Sequence, residues 1–246
     1  ETYTDVRVRR ALHLAVHSQP LIQILSRLRD TMGGPFPPGF WFGLSAEELS
    51  QLPGYRETPD GEKHPDDIAE AKRLLAEAGY PDGFKTTINA IQLAEFVEMS
   101  EVLADQLKRF LNVDATVRPL EYGVGVEAIV GCTYDMNTAG YSQKIMEPHD
   151  ILGAAYVEGG SGNRCNWSHP RIEEIFELQA RELDQEKRKA LIMEATNILL
   201  NEDIAIINLY WTFRGMFMNN KIKNFHVPVG LTDQLKAEHL WCDPSC

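Results

Sequence analysis

Residues 66–91 restrict what this chain can fold into more than any other stretch. Pro65 and Asp66 open a helix, because proline fits a first turn and a carboxylate meets its unpaired N–H groups. Ile68, Ala71, Leu74, Leu75 and Ala78 recur at helical spacing and give that helix one apolar face. Gly79 supplies the left-handed conformation that ends it, and Pro81 prevents it from resuming. Pro81-Asp82-Gly83 is turn chemistry, and the β-rich run from Phe84 to Ile91 follows as a strand.

The next segments extend this into a layered α/β arrangement. Glu95–Leu111 carries Val97, Val102, Leu103, Leu107, Phe110 and Leu111 on one helical face, and Val113–Leu120 alternates as a half-buried strand does. Strand, helix, strand is a βαβ unit, which implies a right-handed crossover and parallel neighbours. A smaller helix over Tyr122–Val130 and a strand over Tyr134–Gly140 repeat the theme. Upstream, Thr4 or Asp5 caps a helix that buries Val8, Ala11, Leu12 and Ala15, and a short helix spans Pro20–Leu28. Residues 33–65 form a long Pro/Gly/aromatic loop with one helical turn at Ala46–Leu49. Downstream, a turn at His149–Ala155 precedes helices over Pro170–Leu183 and from the cap Asp184 to Asn201. Strands are expected at Ile204–Tyr210, Gly215–Met218 and Lys221–Val227, with a turn near Asp233–His239.

Composition excludes several function classes. The net charge of −12 argues against nucleic-acid or anionic-membrane binding, since phosphates are held by clustered Lys and Arg. No apolar run approaches the roughly 20 residues that span a bilayer. The first residue is Glu1, with no signal or transit peptide after it, so a processed product or a fragment is expected. Cys132, Cys165, Cys242 and Cys246 lack zinc-ribbon spacing, and Cys242–Cys246, a longer bridge and free thiols all remain open.

The order of motifs carries a resemblance. Asp5-Val6-Arg7-Val8-Arg9-Arg10-Ala11-Leu12, Gly34-Pro35-Phe36-Pro37-Pro38-Gly39 and the string from Ala71 to Phe84 (AKRLLAEAGYPDGF) come first. Leu103–Lys108, Pro119-Leu120-Glu121-Tyr122, Tyr134-Asp135-Met136 and Asn166-Trp167-Ser168-His169-Pro170 follow in order. Together they resemble the family 5 extracellular solute-binding proteins, the oligopeptide- and dipeptide-binding type that feed ABC importers. The resemblance implies an α/β fold: a type II periplasmic-binding-protein-like lobe with βαβ units and a mixed sheet. It matches the C-terminal portion of a two-lobed protein, with residues 1–210 as the second, ligand-binding lobe and 211–246 as the crossover and the segment returning to a mostly absent first lobe. The missing part would carry the signal peptide or lipid anchor, and the location would be periplasmic or extracytoplasmic. Peptide-binding members carry Gly-Trp-x-x-Asp after the Tyr-Asp-Met strand, with the Asp pairing to the peptide ammonium. Here the matching residues are Gly140-Tyr141-Ser142-Gln143-Lys144, so an ammonium replaces the carboxylate. That reverses the electrostatic preference and favours an anionic or neutral polar ligand.

Candidate ligand residues are therefore Tyr141, Gln143, Lys144, Asn166, Trp167, Trp211 and Arg214. Loop aromatics at a cleft stack on sugars or enclose apolar ligand parts, and the Arg214 fork matches a carboxylate bidentately. Trp41 reads as packing. The expectation is a binding protein without cofactor or catalytic activity, whose partners are a small solute (peptide-like, sugar or organic acid) and ABC permease subunits. The alternative is a metal-dependent hydrolase using His13 and His17, four apart on the first helix, or the Glu147-His149-Asp150 cluster. Against it, Leu14 stands where a metalloprotease carries its glutamate, so His13 reads as a helix-face residue and His17 as a surface one. Pro148 opens a turn and Asp150 reads as its cap. No phosphate loop or nucleophile elbow is present.

Overall fold

The computed structural model describes residues 2–25, 30–140, 145–212, 218–226 and 237–243. Helix α1 (Val6–Ala15) is capped by Asp5, whose carboxylate accepts from Arg7 N–H, and it buries Val8, Ala11, Leu12 and Ala15 as their spacing predicts. Then come α2 (Ser18–Leu25), the short strand β1 (Thr31–Met32) and a one-turn helix α3 (Ala46–Leu49) closed by a Ser45/Glu48 capping box. Helix α4 (Pro65–Glu77) has Pro65 in its first turn, but its cap is His64, which accepts from Asp66 N–H in place of the expected carboxylate. Gly79 follows at φ 96°, in the left-handed region its position requires.

The βαβ unit forms over β2 (Lys85–Ile91), α5 (Ala94–Leu111) and β3 (Asp114–Leu120), followed by α6 (Tyr122–Val130) and β4 (Met136–Thr138). The three strands are parallel in the order β3-β2-β4, with Lys85 opposite Asp114, Ile91 opposite Leu120 and Ala90 opposite Thr138. Pro119 sits in the edge strand β3, where a missing N–H is tolerated. Ile88 packs with Met99 and Leu103 of α5, whereas Gly125 of α6 lies against Ile91, so the two helices cover opposite faces of β2. The buried face of α5 also includes Ser100 and Gln106, which apolar spacing leaves out. Both are satisfied: Ser100 Oγ bonds Thr138 Oγ1, and Gln106 exchanges hydrogen bonds with the backbone N–H and carbonyl of His17.

A second, helical unit comprises α7 (Pro148–Ala155), α8 (Pro170–Arg181) and α9 (Gln185–Asn197), continued by a π-turn at Ile198–Glu202. With Phe36 and Phe42 of the long loop they enclose a core of Ile151, Leu152, Ile175 and Ile192. Burying each such side chain stabilises by about 1.5–3 kcal/mol. The expected strand over Ile204–Tyr210 does not form. Arg9 takes the Ile204 carbonyl, Asn208 Nδ2 takes Ile206 O and the Tyr55 hydroxyl reaches Asn208 O, so side chains satisfy groups that a ladder would pair. Only β5 (Tyr210–Trp211) remains, antiparallel to β1. The last hairpin, β6 (Ile222–Lys223) with β7 (Trp241–Cys242), is also antiparallel, so the two strand directions are divided among separate sheets. Of the expected Gly215–Met218 strand, residues 215–217 lie outside the described residues.

Cys132 and Cys165 form a disulfide with a Cα–Cα distance of 5.2 Å, and Cys242 is also disulfide-bonded. Among the described residues no cysteine is free.

Candidate functional site

In an open parallel sheet, ligands bind outside the carboxyl ends of the strands, where successive connections leave toward opposite faces. Here that point lies between β2, which feeds α5, and β3, which feeds α6. The backbone closes across it through Gln92 N–H to Leu120 O (2.7 Å). Leu93 and Tyr122, 46% and 63% exposed, flank it as uncommitted apolar surface. Leu93 caps α5 without a side-chain hydrogen bond, so the first turn of an 18-residue helix opens onto this edge. The N-terminus of α6 is already filled: the Glu121 carboxylate accepts from Gly123 and Val124 N–H.

Two other segments reach the α5 first turn. Gly140, beyond β4, lies so close to Phe96 that a Cβ there would stand 3.4 Å from its ring. Tyr210 of β5 lies beside Glu95 and Asp30; burial first, then those two carboxylates, push its phenol up to about 12 and keep it a neutral donor. Tyr210, Glu95 and Asp30 escape sequence reading, because only the pairing of β5 with β1 brings them to the edge.

The seven residues expected from sequence do not converge on one place. Tyr141, Gln143, Lys144 and Arg214 lie outside the described residues; the first three follow Gly140 directly in sequence. Trp211 is in β5, but its indole N–H is spent on Gly34 O (3.0 Å), and a Cβ on Gly33 would stand 2.4 Å from its ring. Trp167 donates its indole N–H to Asp203 (3.2 Å), meets Tyr156 edge-on and stacks on His169. Its backbone N–H and carbonyl are both held by the Asn163 side chain. Asn166 is exposed at φ 51°, next to Cys165. The disulfide places that pair toward the amino end of β4, since Cys132 precedes Asp135, whose carboxylate bonds Thr87 near the start of β2. At about 3.3 Å per residue, Thr87 alone is about 13 Å along the strand from Ile91. A groove of about 400 Å³ between α8 and α9 is lined by Leu178, Glu182, Lys187, Ala190, Leu191 and Glu194 and shares no residue with the sheet edge.

Comparison with known proteins decides the family. The family model for bacterial extracellular solute-binding proteins, family 5, matches residues 1–163. The chain belongs to this family. A family 5 relative, the dipeptide-binding protein DppE of Bacillus subtilis, is 24% identical over 240 residues, which is 95% of this chain and 42% of the relative. The probable deoxycholate-binding periplasmic protein YgiS of Escherichia coli is 25% identical, over 85% of this chain and 37% of its own length. Among solved structures, the murein tripeptide-binding protein MppA of Escherichia coli superposes with a TM-score of 0.77 at 18% identity, covering 98% of this chain and 46% of MppA. The chain thus has the periplasmic-binding-protein fold and spans less than half the length of these proteins, which are named as binding proteins and not as enzymes. Among the described residues no helix is long and apolar enough to cross a membrane.

Within this family 5 chain, the residues of the hydrolase alternative are separated. His13 is buried with its ring edge-on to Tyr55 and its Nε2 against Gly54, and burial, followed by the Lys63 ammonium, pushes it down to about 4. His17, expected on the surface, is buried as well and pairs with Glu57. Lys63 lies between them, donating to the carbonyls of Val16 and Gly54, and burial pushes it down to about 8. Glu147 pairs with Arg188 (2.6 Å), His149 stacks on Phe176 and bonds Gln179, and Asp150 accepts from Ile145 N–H. Trp41 is half-buried under the Arg188 guanidinium. Among the described residues no group of three His, Cys, Asp or Glu side chains could hold a metal ion.

Proposed function

We propose that this chain supplies one wall of a solute-binding site that serves an ABC importer. The observation that carries the reading is the convergence of the open α5 first turn, Gly140 and Tyr210 at the carboxyl edge of the parallel sheet. Tyr141, Gln143 and Lys144, which follow Gly140 in sequence, are the primary ligand group, together with Trp211 and Arg214. Asn166 and Trp167 stand apart from this group, toward the amino end of β4. Residues 1–210 act as the ligand-binding lobe, and 211–246 as the crossover and return segment. The solute is captured by hinge closure, with binding favouring the closed state, and passed to permease subunits. The disulfides and the periplasmic relatives support an extracytoplasmic location.

The solute class follows from charge. Lys144 brings a cation to the sequence position where peptide binders carry a carboxylate, while Asp30 and Glu95 near Tyr210 are carboxylates at the α5 first turn. A small polar solute with an anionic group and a hydrogen-bond donor, peptide-like or an organic acid, satisfies both. Calorimetric titration with a dipeptide, deoxycholate and glucose tests this, together with native mass spectrometry for a co-purified ligand. The expected result is binding of a carboxylate-bearing probe, weakened at least about tenfold (1.4 kcal/mol) by Lys144→Glu. Equal affinities for wild type and variant, or turnover of any probe, would refute it.

A further inference from the structure

Tyr210 reaches the α5 first turn on a ladder of two rungs, Thr31 opposite Trp211 and Met32 opposite Tyr210. So short a ladder does not fix a strand by itself. Trp211 adds a bond from its indole N–H to Gly34 O, but that too joins the strand only to the chain following β1. Two buried tyrosines from other segments meet the chain just before Tyr210. Tyr55, from the long loop, places its hydroxyl between the carbonyls of Gly33 (3.1 Å) and Asn208 (3.5 Å), with one proton to donate to either. Its ring lies edge-on to His13 of α1. Tyr156, at the end of α7, donates its hydroxyl to Asn208 Oδ1 (3.4 Å), while Asn208 Nδ2 donates to Ile206 O (3.2 Å). Asn208 therefore joins the start of β5 both to the loop packed on α1 and to the helical unit. Phenylalanine would fill both interior positions with the same ring, so the two hydroxyls matter through the acceptors they reach.

We propose that Asn208 is a positioning residue for solute binding: the hydroxyls of Tyr55 and Tyr156 hold it, and it sets where the strand that follows presents Tyr210 beside the α5 first turn. It acts through Tyr210, two residues on, and touches no solute itself. The Tyr210 ring packs against the cluster of Ile88, Met99 and Leu103, so a shift of the strand registers in the surroundings of that ring. Holding the phenol in place before the solute arrives strengthens binding by removing an ordering cost that would otherwise be met on association. The inference rests on the solute-binding reading for its purpose, but the placement of Tyr210 can be read in the ligand-free chain.

The test is nuclear magnetic resonance of tyrosine-labelled protein, wild type against Tyr55→Phe/Tyr156→Phe, with the Tyr210 signals assigned by Tyr210→Phe. The expected result is displaced Tyr210 ring signals in the double variant, with those of Tyr80 and Tyr134 unmoved. Hydrogen exchange should also be faster by about tenfold or more over residues 31–34 and 208–212, with rates in α4 and β2–β3 unchanged. Unmoved Tyr210 signals, or a uniform rise in exchange over the whole molecule, would overturn the proposal, the latter because it marks general stabilisers. Where deoxycholate or a dipeptide binds wild type, the variant is expected to bind it at least about tenfold more weakly; undiminished affinity would overturn the positioning role. Should neither protein bind either probe, the solute reading fails, and the Tyr210 signals alone judge whether Asn208 places that residue. If the double variant does not fold, each single variant is read in the same way.

Discussion

Acidification should weaken this fold through His13, by an amount that can be worked from its surroundings. The imidazole is 3% exposed, packed on Gly54 and Tyr55, with Nε2 lacking a hydrogen-bond partner among the described residues. Burial, then the Lys63 ammonium, depress it to about 4, against the smaller opposing pull of Asp67 and a Pro53 carbonyl; Arg10 adds a further small depression. The unfolded chain takes up its proton near pH 6.5, while the folded chain does so only near 4. In that window the unfolded state binds more protons, so stability is full above pH 6.5 and falls as pH drops toward 4. The whole shift is worth about 3 kcal/mol, of which about 2 kcal/mol is lost by pH 5. Urea unfolding of wild type and His13→Gln at pH 8 and pH 5, followed by tryptophan fluorescence, isolates this contribution, because every other titrating group is common to both proteins. The stability difference between them should shift by about 2 kcal/mol in favour of the variant at pH 5. Parallel profiles would refute the reasoning and imply that His13 titrates in contact with solvent.

Three further perturbations test the packing around the site. Asp67 has a fully buried carboxylate that accepts from Gly54 N–H (2.8 Å) and pairs with Arg56, so Asp67→Ala should cost about 3 kcal/mol in chemical denaturation by leaving those two partners without their acceptor and the buried Lys63 ammonium with Glu57 as its remaining carboxylate. Gly83 has φ 79°, and a Cβ there would stand 2.2 Å from Asn112 O; Gly83→Ala should cost at least about 2 kcal/mol, measured in the same way. Trp167→Phe removes one donor to Asp203 while Arg9 keeps its bond, so a loss of only about 1 kcal/mol is expected, with solute affinity changed far less than by Lys144→Glu.

The helices were legible because each pairs an apolar period with a chemical start or stop: Asp5 and Asp184 cap α1 and α9, Pro170 opens α8, and Gly79 ends α4. What escaped depends on contacts distant in sequence. Ile204–Tyr210 reads as a buried strand by composition, yet Arg9 and Tyr55 occupy its carbonyls from elsewhere in the chain. Ser100, Gln106 and His17 look like surface polar residues until Thr138 and the α1–α5 contact satisfy them inside. The Cys132–Cys165 pairing was one of several open choices, since spacing alone does not select a connectivity.

The candidate site follows the same logic. The segment after β4 could be singled out from its neighbours in the chain, because the departure at Lys144 is local. Its companions could not, because Tyr210 and the open first turn of α5 reach it only through the strand order β3-β2-β4 and the pairing of β5 with β1. That order has a further consequence. With β2 central and α5 and α6 on opposite faces of it, the exposed side chains that flank the carboxyl edge between β2 and β3 are, among the described residues, Leu93 and Tyr122. An edge so exposed cannot remove a solute from water by itself. Tight binding needs most of the ligand surface to be enclosed, so the free energy of capture must come largely from whatever wall closes against Leu93 and Tyr122. Replacing Tyr122 with Ser should then leave the stability of this chain within about 0.5 kcal/mol of wild type, while weakening solute capture by the closed protein.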